Sequence, residues 1–139
     1  MFKLGKYLQS KGGIPVGGSD NQKLWEVFTA RDKPVLFTVG QFWSGDASEY
    51  YTLVTVPPGH NLDGTLGMAD IPGAIVMLHG NIEGSVGTIA SPFSLFGNWQ
   101  RSSPTLFIVP PDYSVAVMPV TAASANDFGV RLGGFELES

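Results

Sequence analysis

The chain contains no cysteine, which excludes disulfides and thiolate zinc sites and leaves packing, with or without oligomerisation, to supply stability. Histidine occurs only at His60 and His79. The two stand apart, with no His-x-His cluster to suggest a metal site. Charge is scarce as well: Asp, Glu, Lys and Arg make up 14% of residues, against roughly 25% in an average soluble protein. Such a sparse charged surface favours burial against something else. Long apolar runs are missing too. The longest, Ala74 to Leu78, falls far short of the ~20 residues a membrane-spanning helix needs, so no membrane partner is expected. Lys3, Lys6 and Lys11 are not followed by an apolar stretch, so no secretory signal is expected and synthesis is placed in the cytoplasm.

What is present points to strands. With 139 residues, 43% apolar and 12% aromatic, there is material for one domain with a substantial core. Glycine and proline together number 28, about a fifth of the chain without any collagen period, which suits many strands joined by tight turns. One phrase occurs twice: Thr52-Leu53-Val54-Thr55-Val56-Pro57-Pro58 returns as Thr105-Leu106-Phe107-Ile108-Val109-Pro110-Pro111. A partial third copy, Pro34-Val35-Leu36-Phe37-Thr38-Val39, matches residues 104–109 at four of six positions. Proline has no N–H to give a ladder, so each Val-Pro-Pro ends a strand and turns the chain. Strands are predicted at 34–42, 48–57, 73–79, 84–90, 104–110, 113–120 and 127–137. Lys23 to Thr29 fits a helical stripe and an alternating strand equally well. The expected fold is all-β: an antiparallel β-sandwich of jelly-roll type over residues 23–139, with an extended N-terminal arm over 1–22.

The arm is inferred from composition. Gly12-Gly13 and Gly17-Gly18 interrupt it, and residues 1–19 carry three lysines and no acid, whereas residues 20–139 carry five bases and twelve acids, a net of −7. A basic arm on an acidic body suggests docking on a partner. Phe2, Leu4, Tyr7 and Leu8 would supply apolar contact, with Lys3, Lys6 and Lys11 meeting acidic surface. A body so tethered is expected to stay folded when residues 1–19 are removed. No cation lies between Lys33 and Arg101, which argues against a nucleic-acid-binding face. At the other terminus, Phe128, Val130 and Leu132 share one parity while Phe135 and Leu137 take the other after Gly133-Gly134. This predicts either a bulge that resets the face and keeps all five inward, or a strand crossing between sheets, and in both cases a central C-terminal strand.

Chemistry is thinly represented. There is no Gly-x-Ser-x-Gly elbow for a nucleophile. Gly64-Thr65-Leu66-Gly67 and Gly84-Ser85-Val86-Gly87 lack the Lys-Ser/Thr ending and following helix of a phosphate loop. Asp46, Asp63, Asp70 and Asp112 are spaced as turn residues. Neither a catalytic site nor a cofactor or metal is expected. Aromatics are the remaining signal: Phe42-Trp43 and Tyr50-Tyr51 on strands, and Phe93, Phe96 and Trp99 in the segment 91–103, which has no strand alternation. The last three form a candidate recognition loop.

The basic glycine-rich start (Lys3 to Gly18), the cysteine-free acidic β body with Val56-Pro57-Pro58 and Val109-Pro110-Pro111 corners, and the Gly133-Gly134-Phe135-Glu136-Leu137 ending resemble the small β-sandwich accessory proteins of tailed-phage virions, in particular capsid decoration or cement proteins. The resemblance is one of architecture across the whole chain. It implies a non-enzymatic homotrimer, made in the host cytoplasm, that sits on a shell of major capsid protein or another virion protein and reinforces it. Two other readings compete. A fibre-tip or lectin-like receptor binder would use Phe93, Phe96 and Trp99 on sugars, and a cupin-type enzyme would need His60 and His79 to converge.

Overall fold

A computed structural model describes residues 3–10, 23–44, 50–81, 99–119 and 128–139. The described residues form eight strands: β1 (Lys3–Gln9), β2 (Trp25–Thr29), β3 (Val35–Ser44), β4 (Tyr50–Val56), β5 (Ile75–Asn81), β6 (Trp99–Val109), β7 (Ser114–Pro119) and β8 (Phe128–Glu138). Their one helical element is a 3-10 turn at Met68–Asp70. Sheet A runs β1-β8-β3-β6 and sheet B runs β2-β7-β4-β5, every pairing antiparallel. The protein is thus all-β, with two four-stranded sheets, as a β-sandwich requires. Both Val-Pro-Pro copies fall at strand ends, since Val56 closes β4 and Val109 closes β6. Pro104 lies within β6 at the edge of sheet A, a place where a missing N–H is tolerated.

The two sheets share one core. Val35, Phe37, Phe107, Val109, Val130 and Leu132 from sheet A meet Val27, Leu53, Val115 and Val117 from sheet B, all buried. Phe37 is central: its ring meets Phe28 edge-on with centroids 5.1 Å apart and lies 5.4 Å from Phe107. Period-two alternation sends the intervening residues outward. On sheet B those residues are Val54, Val56 and Ala116, and they are buried again, beneath Leu62 and Ile71 of the β4–β5 connection. That connection also pairs with β2, through Glu26 N–H to the Leu62 carbonyl (2.8 Å), Leu24 N–H to Leu66 (2.8 Å) and Gly64 N–H to Leu24 (2.9 Å). It therefore roofs the outer face of sheet B and occupies the edge of β2.

Several expectations need correction. Residues 3–9 are not an arm apart from the domain but a strand of sheet A, paired with β8 from Lys3↔Glu138 to Gln9↔Gly133. Sequence composition pointed elsewhere because the glycines at positions 12, 13, 17 and 18 dominate the window, whereas β8 supplies the pairing that defines the strand. Beyond β1, the buried Ser10 donates its N–H to the Leu132 carbonyl and accepts the Leu132 N–H on its Oγ, each at 2.8 Å. A body without residues 1–19 would lose this strand. Residues 11–22 lie outside the described set, as does the predicted strand at 84–90. The segment at Trp25–Thr29 is a strand.

β8 lies between β1 and β3, a central strand as its apolar content predicted. The glycine pair, however, does not reset its face. Phe135 packs edge-on against Tyr7, with centroids 5.1 Å apart, and neither Phe135 nor Leu137 joins the core between the sheets. The irregularity sits on the neighbouring strands. Phe37 pairs with Gly134 and Val39 with Gly133, leaving Thr38 as the extra residue of β3. Gly5 and Lys6 together face the single step of β8 between Leu137 and Phe135. The glycines are needed for close approach: a Cβ on Gly134 would overlap the Leu36 carbonyl oxygen and lie 2.8 Å from Phe37 Cα.

Candidate functional site

Four of the residues proposed for partner contact, Leu4 and Tyr7 on the outer face of sheet A and Lys3 and Lys6 on its β1 edge, come together, and they meet residues that sequence reasoning had assigned to strands without a role. Residues directly opposite each other on paired strands share a face. Tyr7 is opposite Phe135, Phe135 opposite Leu36, and Leu36 opposite Ile108, so one apolar row crosses all four strands, about 14 Å at ~4.8 Å per strand. Leu4↔Leu137 lies on one side of this row and Val39↔Gly133 on the other. Gly133 makes room for its neighbours, since a Cβ there would be 3.1 Å from Val39 Cγ1 and 3.3 Å from Tyr7 Cζ. Leu36 and Phe135 in the middle of the row are half-buried and Leu137 is buried, while four side chains stand open: Leu4 is 62% exposed, Tyr7 48%, Val39 41% and Ile108 52%.

At ~200 Å² for a fully exposed large side chain, those four leave roughly 400 Å² of apolar surface, within the range where a monomer's largest patch is often functional. Burying it would contribute roughly 10 kcal/mol gross, before association costs of a similar order. The charge of the face is one-sided. Arg131 is exposed on the same parity of β8 as Gly133 and Phe135, while Glu136 and Glu138 alternate to the other side. There Glu138 meets Lys33 at 3.2 Å, and Glu136 lines a cleft with Lys6, Leu8, Phe28 and Val35. The hydrogen bond and the negative charge of Glu138 hold the Lys33 ammonium above its ordinary pKa.

Of the sequence-predicted contact residues, Lys3, Leu4, Lys6 and Tyr7 are exposed on β1, and Leu8 is half-buried against the core. Phe2 and Lys11 lie outside the described residues. Lys3 and Lys6 occupy an edge strand, where lysines discourage pairing with another chain's strand. The face is therefore a better contact than the edge. Leu36, Val39, Ile108 and Phe135 were missed as surface residues. The signal for two of them lay in the repeat itself: if Val35 and Phe37 point inward, Leu36 points outward, and likewise Ile108 between Phe107 and Val109.

Within the candidate recognition loop, Phe93 and Phe96 lie outside the described residues. Trp99 does not stand in a loop but opens β6, its backbone opposite Ser44. His79 lies on β5 opposite Thr52 and His60 follows the end of β4, so at least four strand residues, about 13 Å, separate their levels. Among the described residues no three His, Asp or Glu side chains converge as metal ligands would. His60 lines an open polar cleft with Glu26, Thr29, Asn61, Asp112 and Ser114. In it Thr29 donates to Glu26 at 2.6 Å, and the Thr29 and Ser114 hydroxyls bond at 2.8 Å.

A second exposed apolar group lies on β5, at the edge of sheet B: Ile75 is 60% exposed, with Val76 and Met77 beside it. No protein-family model matches this chain, and no curated protein does either.

Proposed function

We propose that this chain is a non-enzymatic structural protein that works by burying the outer face of sheet A against neighbouring subunits of an assembly. The observation that carries the reading is the asymmetry of the two outer faces. Sheet B's is roofed by the β4–β5 connection, while sheet A's presents Tyr7 and Ile108, the two ends of its apolar row, with adjoining Leu4 and Val39, to solvent. A sandwich that covers one face with its own chain and leaves the other apolar is built for contact on that face.

Strand order supports a jelly roll as the type of sandwich. The pairs β1–β8, β2–β7, β3–β6 and β4–β5 are nested, the pattern left when one long hairpin of strands rolls up, and jelly rolls are common in viral capsid domains. Together with the sequence resemblance, this favours a capsid decoration or cement protein of a tailed phage: a homotrimer on the virion that stiffens its shell by adding buried area across shell subunits. Such a role asks for a surface and no cofactor. The test is co-sedimentation of the full chain with purified phage shells stripped of accessory proteins. Wild type should pellet with the shells, and Ile108→Glu, with an unchanged melt, should remain in the supernatant. Full occupancy by Ile108→Glu, or no binding by wild type, would overturn the proposal.

A further inference from the structure

We propose that the cleft between the two sheets on the β1 side of the sandwich binds the C-terminal residue of a peptide: an α-carboxylate with an apolar side chain and a backbone N–H beside it. The site is separate from the outer face of sheet A and does not depend on the reading of that face.

Both sheets build the cleft. Lys6 and Leu8 come from β1, Val35 from the start of β3 and Glu136 from β8, while Phe28 lies on β2 and Arg31 follows it. Its volume is about 420 Å³, inside the range of small-ligand pockets, roughly 300–1,000 Å³. Glu136 is opposite Val35 in the β8–β3 register, and Val35 is buried in the core, so the two share the inner side of sheet A. The Glu136 side chain therefore leaves the backbone toward the space between the sheets, and it is half-buried there. Gly5 and Lys6 face that same step of β8, and Leu8, two residues beyond Lys6, rests against the core. Half-buried Phe28 walls the cleft from sheet B.

Three charged side chains line this cleft, and none is in an ion pair. Among the described residues the one such pair is Lys33–Glu138 at 3.2 Å, which engages Glu138 and leaves Glu136 without a partner. Protection of a sheet edge explains a lysine such as Lys6, but β8 is paired on both sides and needs no charge for that purpose. A half-buried carboxylate without a bond costs free energy, and the two cations of the cleft do not relieve it. Lys6 and Arg31 against Glu136 leave one net positive charge. A peptide C-terminus matches each feature in turn. Its monoanionic carboxylate meets Lys6 and the Arg31 fork, which can hold it through two parallel bonds. Its N–H donates to Glu136, and its side chain covers Leu8 and Phe28. A fatty acid would set its tail against the Glu136 charge, and a phosphate or sulfate would leave the apolar wall bare.

Titration of the isotope-labelled full chain with N-acetyl-L-leucine, followed by amide chemical shifts, tests this. Saturable shifts are expected at Leu8, Phe28 and Val35. Two altered ligands separate the contacts: N-acetyl-L-leucine amide lacks the carboxylate, and the ester analogue with oxygen in place of the N–H lacks the donor. Each should bind at least about tenfold more weakly, the loss of one charge-assisted bond. Arg31→Gln should bring the acid toward the affinity of the amide and leave the amide's own affinity unchanged. The Arg31 side chain is exposed, and Lys6→Gln serves as a second variant should Arg31→Gln lose its cooperative melt. Absence of saturable shifts at these residues, equal affinity for the acid and its amide, or unchanged binding by both variants would overturn the inference. Free L-leucine binding more tightly than the N-acetyl form would also overturn it, since the site would then prefer an ammonium to a peptide N–H.

Discussion

Alanine at Gly134 and at Gly133, adjacent residues of one strand, should have different costs. At Gly134 the new methyl meets only backbone: it overlaps the Leu36 carbonyl oxygen and sits 2.8 Å from Phe37 Cα. Neither atom can rotate away, so β8 and β3 must separate, in the middle of a sheet whose inner face holds Phe37 and Leu132. Overpacking of this kind costs ~1–3 kcal/mol, and each ladder hydrogen bond stretched by the separation adds about 1 kcal/mol. Against this, replacing glycine by alanine restricts the unfolded chain and returns about 0.4–1 kcal/mol. The net for Gly134→Ala is about 3 kcal/mol. At Gly133 the methyl meets the Tyr7 ring and Val39 Cγ1, and Tyr7 is about half exposed and free to swing. The loss there is the edge contact with Phe135, ~0.5–1.5 kcal/mol, largely offset by the same chain-entropy gain, for a net of about 0–1 kcal/mol. Urea denaturation should separate the two by about 2 kcal/mol, and calorimetry by roughly 6–10 °C in Tm. Equal losses, or a larger loss for Gly133→Ala, would refute the account of the glycine pair as an accommodation to the β3 bulge.

Ser10→Ala leaves the Leu132 N–H without its Oγ acceptor and should cost about 1–3 kcal/mol by urea denaturation, as an unsatisfied buried donor does. Removing residues 1–19 takes β1 from sheet A and turns β8 into an edge, so the truncated protein should melt well below the full chain and aggregate more readily on heating, as monitored by light scattering. Gly64 has φ +87° and packs under the Trp25 indole, so Gly64→Ala combines a strained backbone with displacement of that ring and should lower stability by at least about 2 kcal/mol. Because the Lys33 pKa is raised in the folded state by Glu138, that pair's contribution is fully present below the unfolded lysine pKa and is lost as pH rises through the folded value. The denaturation midpoints of wild type and Lys33→Met should therefore keep a small, salt-sensitive gap from neutral to mildly alkaline pH, closing only under strongly alkaline conditions.

The fold class was readable because the local signals agree. Val-Pro-Pro marks strand ends wherever it occurs, and the runs between such breaks are strand-sized and β-branched. β1 was obscured by the glycine pairs on its C-terminal side, and its strand character comes from pairing with β8, a long-range contact that composition cannot report. The parity problem at Gly133-Gly134 had two local solutions and the protein uses neither. The extra residues are Thr38 on β3 and one of Gly5-Lys6 on β1, strands far away in sequence, so Phe135 and Leu137 stay on the outer face. That outcome decides the surface. The contact face was half visible, since Leu4 and Tyr7 were singled out as apolar contacts, but Leu36, Val39, Ile108 and Phe135 join them only once the register of four strands is known.

Hydroxyl-radical footprinting of the protein free and in its assembled particle measures the burial of the sheet A face side chain by side chain. The account predicts strong protection of Leu4, Tyr7 and Ile108 on assembly, while Pro58 and His60, at the end of β4, are labelled equally in both states. Unchanged labelling of Tyr7 and Ile108 in the particle would contradict it.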